Sequence, residues 1–185
     1  MRNVFTCVLI ALFLCGCGIF SKEPYRIVNY YDFDCKADKQ YGISISVSEI
    51  TADRPYSDKM VFRISGNRIE IDEFNRWAGS PSELVKKYFS SSFENASSAK
   101  PSDYTMKSEI MQLEADLNKS SVKLMMQISI RSVQKDRIVL QKVYREEIPL
   151  AKVTGESFAR GVETALGKIS DALVKDVGNA RQDGG

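Results

Sequence analysis

The chain has 185 residues, of which 43% are hydrophobic and 27% are charged, and it contains no histidine. Without histidine it cannot build a Ser-His-Asp or Cys-His nucleophilic centre, or the common zinc sites that combine histidine with other ligands. The 26 Lys and Arg residues nearly balance the 24 Asp and Glu residues, so the net charge is +2. This balance argues against the strong basic footprint of proteins that bind nucleic acid or anionic membranes.

The amino terminus has the features of a secretory signal peptide. Arg2 supplies a positive start, and residues 4–14 are apolar apart from Thr6. This run is too short to span a bilayer, which takes about 20 residues, but it fits the apolar region of a cleaved signal. We therefore predict that residues 1–16 are removed.

The next segment, Leu14-Cys15-Gly16-Cys17, resembles a bacterial lipobox. The resemblance implies cleavage before Cys17 and acylation of that cysteine, and several acyl chains anchor a protein far more firmly than one. Gly18, where aspartate would signal retention in the inner membrane, favours the outer membrane with the domain facing the periplasm. An ordinary cleaved signal with incidental cysteines is the alternative.

A short tether is predicted over residues 17–24, which reach about 25 Å when fully extended. No long linker, repeat or low-complexity run follows, so we predict a single domain over 25–180 and a frayed tail over 181–185. Cys35 is then the one cysteine without a lipid, and it cannot form an internal disulfide. A small buried apolar residue is the simplest interpretation, and an intermolecular bridge is the alternative.

Alternating apolar and polar residues predict about seven strands. They fall over residues 25–33, 43–48, 61–64, 69–72, 105–117, 122–132 and 137–148. Gly66 and Asn67 mark a hairpin turn between the third and fourth strands. The strand over 122–132 has the strongest alternation, so we expect it at the centre of the sheet.

Two amphipathic helices complete the pattern. Ser80, Pro81 and Glu83 form a capping box with proline in the first turn, and apolar residues then fall on one face at 84, 85, 88, 89 and 93. Thr154 is predicted to cap a closing helix with an apolar stripe at 158, 162, 166, 169, 173 and 177. The fold prediction is α+β: a two-layer sandwich of a mostly antiparallel sheet with both helices packed on one face.

Carboxylates are the strongest catalytic candidates. Glu70, Asp72 and Glu73 are close in sequence, as are Glu146 and Glu147, and paired carboxylates can hydrolyse glycosides. Glu70 and Asp72 lie two residues apart on a predicted strand, so a solvated polar face is the stronger interpretation.

The single tryptophan lies at the predicted corner between the hairpin and the first helix. Trp77 is predicted to anchor this corner by packing on that helix. The alternative is a binding hot spot formed with Arg76, because Arg and Trp contribute much of the energy at protein interfaces. Met106, Met111, Met125 and Met126 are predicted to fill the core, with a cavity for a lipid tail as the alternative.

The hairpin region resembles the ABC-type transport auxiliary lipoproteins, a family familiar from PqiC and YmbA. The resemblance lies in residues 55–63 (Pro-Tyr-Ser-Asp-Lys-Met-Val-Phe-Arg), in residues 67–77, and in Pro81. Their shared pattern is a strand of hydrophobic, aromatic and Arg residues, an Asn-Arg turn, an acidic-aromatic strand, and an Arg-Trp corner before the first helix.

The resemblance implies a non-enzymatic outer-membrane lipoprotein that assists an ABC transporter with an MCE-type periplasmic subunit. Such systems move lipids or other hydrophobic molecules between the two membranes. No catalytic residue, metal or cofactor is implied, and the implied partners are the MCE-type subunit and the permease and ATPase complex. Five residues are marked as a structural or docking signature: Arg63, Asn67, Arg68, Arg76 and Trp77.

Two further expectations concern assembly and an alternative function. Edge strands of the predicted sheet favour self-association into a homo-oligomer. Small α/β lipoproteins also regulate cell-wall synthases and outer-membrane assembly machines, so a regulator of that kind is the alternative function.

Overall fold

The structure is a computed structural model and describes residues 25–33, 41–94 and 101–182. The strands are β1 (Asn29–Tyr31), β2 (Ile45–Ala52), β3 (Lys59–Ser65), β4 (Arg68–Trp77), β5 (Tyr104–Asp116), β6 (Ser121–Ser132) and β7 (Arg137–Pro149). The helices are α1 (Pro81–Phe93) and α2 (Gly155–Gln182). The predicted signal peptide, the lipidated Cys17, the tether and Cys35 all lie outside the described residues.

The seven strands form one mixed sheet in the order β1-β4-β3-β5-β6-β7, with β2 also paired to β5. Three pairings are antiparallel (β3 with β4, β5 with β6, β6 with β7) and three are parallel (β1 with β4, β2 with β5, β3 with β5). The prediction of α+β is confirmed, but that of a mostly antiparallel sheet is wrong. Because β4 runs antiparallel to β3 and β5 runs parallel to β3, β5 runs in the opposite direction to β4, from which α1 separates it in the sequence.

Strand β5 lies in the middle of the sheet, and two strands, β2 and β3, share one of its edges. β2 pairs with residues 104–110, and β3 then pairs with β5 through Phe62 and Arg63, opposite Ala115 and Asp116. The prediction that β6 is central is therefore wrong, since β6 lies one strand from the β7 edge. Its strong alternation reflects one fully buried face, which a strand near the edge can also have.

The core is formed by the buried face of the sheet and the apolar stripes of the helices. Both predicted stripes are buried, including Leu84, Val85 and Phe89 on α1 and Phe158, Leu166 and Ile169 on α2. α1 contacts β2, and α2 contacts β6 and β7. That these contacts amount to a two-layer sandwich with both helices on one face stays a prediction.

Local signals fix where the helices begin. At α1 the Ser80 hydroxyl accepts from the Glu83 backbone N–H, and the Glu83 carboxylate accepts from the Ser80 backbone N–H, as the capping box predicts. Before α2 the Thr154 hydroxyl accepts from the Ser157 backbone N–H. The first residue of α2, Gly155, has no room for a side chain, because a Cβ there would lie 2.4 Å from the Tyr31 ring. The start of α2 is therefore seated directly against β1.

Candidate functional site

All five signature residues lie on the β3–β4 hairpin, but the structure divides them between its two ends. Arg63, Asn67 and Arg68 lie at or beside the turn, whereas Arg76 and Trp77 lie at the far end of β4. A strand rises about 3.3 Å per residue, so roughly 25 Å separate Arg68 from Arg76. The signature therefore does not form one contiguous site, and its two halves have different surroundings.

Arg63 forms a buried ion pair with Glu114. Its Nη2 donates to Glu114 Oε2 at 2.8 Å and its Nε donates to Oε1, which makes the pair bidentate. The Glu114 side chain is fully buried, and Gln112 donates a further hydrogen bond to it at 2.7 Å. Arg63 Nη1 also donates to the Gly66 carbonyl at 2.6 Å. Arg63 thus ties the hairpin turn to the central strand.

A second buried carboxylate, Asp116, lies beside this pair. Lys123 Nζ donates to Asp116 Oδ2 at 2.7 Å, and the backbone N–H groups of Asn118 and Lys119 donate to Oδ1. Burial alone would raise the pKa of Asp116, but these hydrogen bonds and the Lys123 charge hold its pKa below the ordinary value. Asp116 therefore shapes the β5–β6 turn in its ionised form.

The Asp116→Asn variant is expected to lose an acid-sensitive part of the stability. Because the pKa of Asp116 is lowered in the folded state, its contribution is present above the unfolded pKa and is lost as the pH falls through the folded pKa. The free energy of unfolding in urea should be lower for the variant at neutral pH, and the gap should close in acid. Asp136→Asn is the control, since its partner Arg131 is exposed. A gap that does not change with pH would contradict this assignment.

At the tip of the hairpin, Asn67 and Arg68 are exposed. Gly66 has a φ of +45°, a conformation that glycine adopts at little cost, and this allows the tight turn that the sequence predicts. Of the five signature residues, Asn67 and Arg68 are thus the most accessible to a partner.

At the other end of β4, Trp77 anchors a corner of the core. Its side chain is 3% exposed, and its ring packs edge-on against Phe33 and Phe158. We predicted packing on the first helix, whereas Phe158 belongs to α2. The Trp77 backbone N–H also donates to the Asp58 carbonyl at 2.8 Å. A tryptophan buried in this way supports the corner and leaves little surface for a partner.

The Arg76 guanidinium makes few polar contacts among the described residues. Its nearest carboxylate is Asp58, with Nη1 and Oδ2 3.8 Å apart, and its buried Nε has no hydrogen-bond partner among the described residues. In the sheet it lies opposite Tyr30 of β1 on one side and Lys59 of β3 on the other. The side chain is 31% exposed, so part of the guanidinium faces solvent.

The acidic candidates on β4 differ in their burial and in their partners. Asp72 is partly buried and accepts hydrogen bonds from the backbone of Phe74 and Asn75 and from the Asn75 side chain, so it shapes a bulge in β4. Glu70 is exposed on the same strand, opposite Phe62, and Glu73 binds Lys59. Within residues 25–33, 41–94 and 101–182, no group of three or more acidic or cysteine side chains is placed to hold a metal ion.

Two further features bear on lipid binding. Met106 and Met126 are fully buried in the core, as predicted, whereas Met111 on β5 and Met125 on β6 are half-buried. A groove of about 600 Å³ opens between the β6–β7 turn and the end of α2, lined in part by Tyr104 and Val177.

In the part of the chain that the structure describes, neither helix combines the length and apolarity that crossing a bilayer needs.

Comparison with known proteins identifies the family. Residues 36–174 match the family model described as the ABC-type transport auxiliary lipoprotein component. The chain belongs to this family. Members of the ABC-type transport auxiliary lipoprotein family are auxiliary components of ABC transporters, and their lipoprotein nature points to anchoring at a membrane. The match begins after Cys17, so acylation of that residue stays a prediction.

Solved structures of other proteins show the same fold. The crystal structure of an uncharacterized protein matches with a TM-score of 0.67 at 12% identity, covering 82% of this chain and 99% of that one. Protein XCC0632 from Xanthomonas campestris, a DUF330 protein, matches with a TM-score of 0.61 at 17% identity, covering 86% of this chain and 97% of that one. No curated protein matches the sequence. These likenesses support the fold of this family member.

Proposed function

We propose that this chain is a non-enzymatic outer-membrane lipoprotein that docks the periplasmic end of an ABC transporter with an MCE-type subunit. The system would move lipids or other hydrophobic molecules between the two membranes. The family match over residues 36–174 is the observation that carries this proposal. The MCE-type subunit and the permease and ATPase complex are the proposed partners.

In this proposal the domain is held by lipid and positioned by a short tether. Residues 1–16 are the signal peptide, Cys17 carries the acyl chains, residues 17–24 are the tether and residues 25–180 form the domain. The lipobox supports acylation, and Gly18 supports the outer membrane. α2 continues to Gln182, so residues 181 and 182 of the proposed tail lie in the helix.

The contacts of the candidate residues support a docking role over a catalytic one. Asp72 accepts hydrogen bonds within the bulge of β4. Arg63 and Glu114 bind each other between the hairpin and the central strand, and Asp116 binds Lys123. We assign docking to the exposed hairpin tip, Asn67 and Arg68, and a structural role to Arg63 and Trp77.

Crosslinking in cells followed by affinity capture tests this function. Capture of the lipidated protein is expected to recover MCE-type or permease subunits, and a homo-oligomer would appear as crosslinked multiples of this chain. The matched control is Cys17→Ser, which should leave the membrane fraction and recover much less of the transporter, because it lacks its anchor.

Three results would contradict parts of the proposal. Crosslinking that recovers no transporter subunit would exclude the docking role. Capture of a penicillin-binding protein in its place would favour the alternative of a cell-wall synthase regulator. Retention of the Cys17→Ser variant on the membrane, with full recovery of its partner, would exclude the lipid anchor at this residue.

A further inference from the structure

The first described segment of the domain presents large apolar side chains to solvent. Tyr25, Ile27 and Tyr30 are 91%, 68% and 64% exposed, although side chains of this size are usually at least half buried. We use the name N-terminal face for the part of the surface where residues 25–30 expose these three side chains. β1 is the edge strand of the sheet, and β4 is its one partner among the described strands. An exposed apolar surface of this kind marks a contact with another phase or molecule.

Two guanidinium groups lie beside this face. Arg26 stacks over the Phe74 ring, with its Cζ 5.0 Å from the ring centroid. Arg76 lies opposite Tyr30 in the sheet, and its side chain is 31% exposed. Tyrosine and arginine are both amphipathic: the body of each side chain can enter an apolar medium while its polar tip stays in water. This combination suits the boundary between lipid headgroups and acyl chains.

The length of chain that precedes this segment indicates what covers it. Cys17 lies only eight residues before Tyr25, a distance of about 25 Å when extended. If Cys17 carries acyl chains inserted in a bilayer, Tyr25 cannot lie further than this from the membrane surface. Of the described domain, the N-terminal face is the part nearest to the anchor along the chain.

We infer that the N-terminal face is a membrane contact site that seats the domain on a phospholipid bilayer. The inference rests on the lipid anchor of the proposed function. The acyl chains supply the attachment, so the face needs only to supply orientation. The small net charge of +2 is compatible with this arrangement, since two local guanidinium groups and three apolar side chains act without a basic surface elsewhere.

Depth-dependent fluorescence quenching tests the inference on the full lipidated chain. An environment-sensitive fluorophore is attached at Tyr30→Cys in a Cys35→Ser background, where the acylated Cys17 cannot react. The protein is reconstituted in vesicles of phosphatidylethanolamine and phosphatidylglycerol that contain a lipid with a nitroxide on its headgroup. Ile138→Cys in the same background is the matched control, because Ile138 is also exposed, at 53%. Ile138 lies near the start of β7, and the other end of β7 leads to Gly155, which is seated against Tyr31 of β1. The length of β7 therefore places the control roughly 35 Å from the end of the sheet that holds position 30.

The expected result is quenching several-fold stronger at position 30 than at position 138. Equal quenching at the two positions, in protein that stays on the vesicles, would overturn the contact face while leaving the anchor intact. A fluorophore at position 30 that becomes shielded from water without lipid quenching would also overturn it, and would indicate a second copy of the chain paired along β1. Protein that washes off the vesicles would overturn the anchor and this inference together.

Discussion

Replacing Trp77 with alanine is expected to lower the free energy of unfolding by about 3–5 kcal/mol. The side chain is 3% exposed, and its ring lies 6.0 Å from that of Phe33 and 5.2 Å from that of Phe158. The truncation would leave a cavity where the end of β4, the segment after β1 and the first turn of α2 meet. Urea unfolding followed by far-ultraviolet circular dichroism measures the change without depending on tryptophan fluorescence.

Trp77→Phe is the matched control for this prediction. It keeps an aromatic ring in the same position, so we expect a smaller loss of stability and unchanged capture of the transporter. The opposite pattern would show that the corner is an interface: a Trp77→Ala protein within about 1 kcal/mol of the wild type that no longer recovers its partner.

The second large effect is expected at the buried ion pair. Arg63→Met should destabilise the protein by about 3–5 kcal/mol, because it leaves the fully buried Glu114 carboxylate without its bidentate partner. Urea unfolding at neutral pH measures this loss. Arg63→Lys is not conservative here, since an ammonium group cannot reproduce both parallel hydrogen bonds and the contact with the Gly66 carbonyl.

Two comparisons isolate the contribution of this pair. The double variant Arg63→Met with Glu114→Met should recover much of the loss, because apolar residues can replace a buried ion pair at little cost. Lys107→Met breaks an exposed ion pair with Glu49 and should change stability by about 0–1 kcal/mol. If Arg63→Met were as mild as Lys107→Met, the pair would not hold the hairpin to the central strand.

The parts of the fold that depend on local sequence could be predicted. The α1 capping box involves residues only three apart, Ser80 and Glu83, so the sequence specifies it directly. The apolar stripe of α2 follows the helical period and is buried as expected. The parallel pairings could not be predicted, because alternation reveals a strand but not the direction of its neighbour. The pairing of β2 with β5 joins residues more than 50 positions apart.

The candidate site shows the same division. The corner position of Trp77 follows from its place before the Ser80 cap, but its contact with Phe158 depends on how α2 packs. The family resemblance marks Arg63 as a signature residue. It does not mark the partner of Arg63, Glu114, which lies 51 residues further along the chain. The sequence does contain a local signal for the role of the neighbouring Asp116. An Asp followed by Leu117-Asn118 suits an Asx turn, in which the carboxylate accepts a hydrogen bond from the backbone two residues on.

The shared edge of β5 has a mechanical consequence. In the proposed function the tether leads into β1, which is joined through β4 to β3. β3 meets β5 through only two residue pairs before the sheet continues to β6 and β7. Tension between the membrane and a transporter bound at the hairpin tip would run through β1, β4 and β3, and it would not cross that short ladder. The ladder, the Arg63–Glu114 pair and the contact of Trp77 with Phe158 together hold these strands to β5 and α2. The path of this tension therefore lies at one edge of the sheet, apart from β6 and β7.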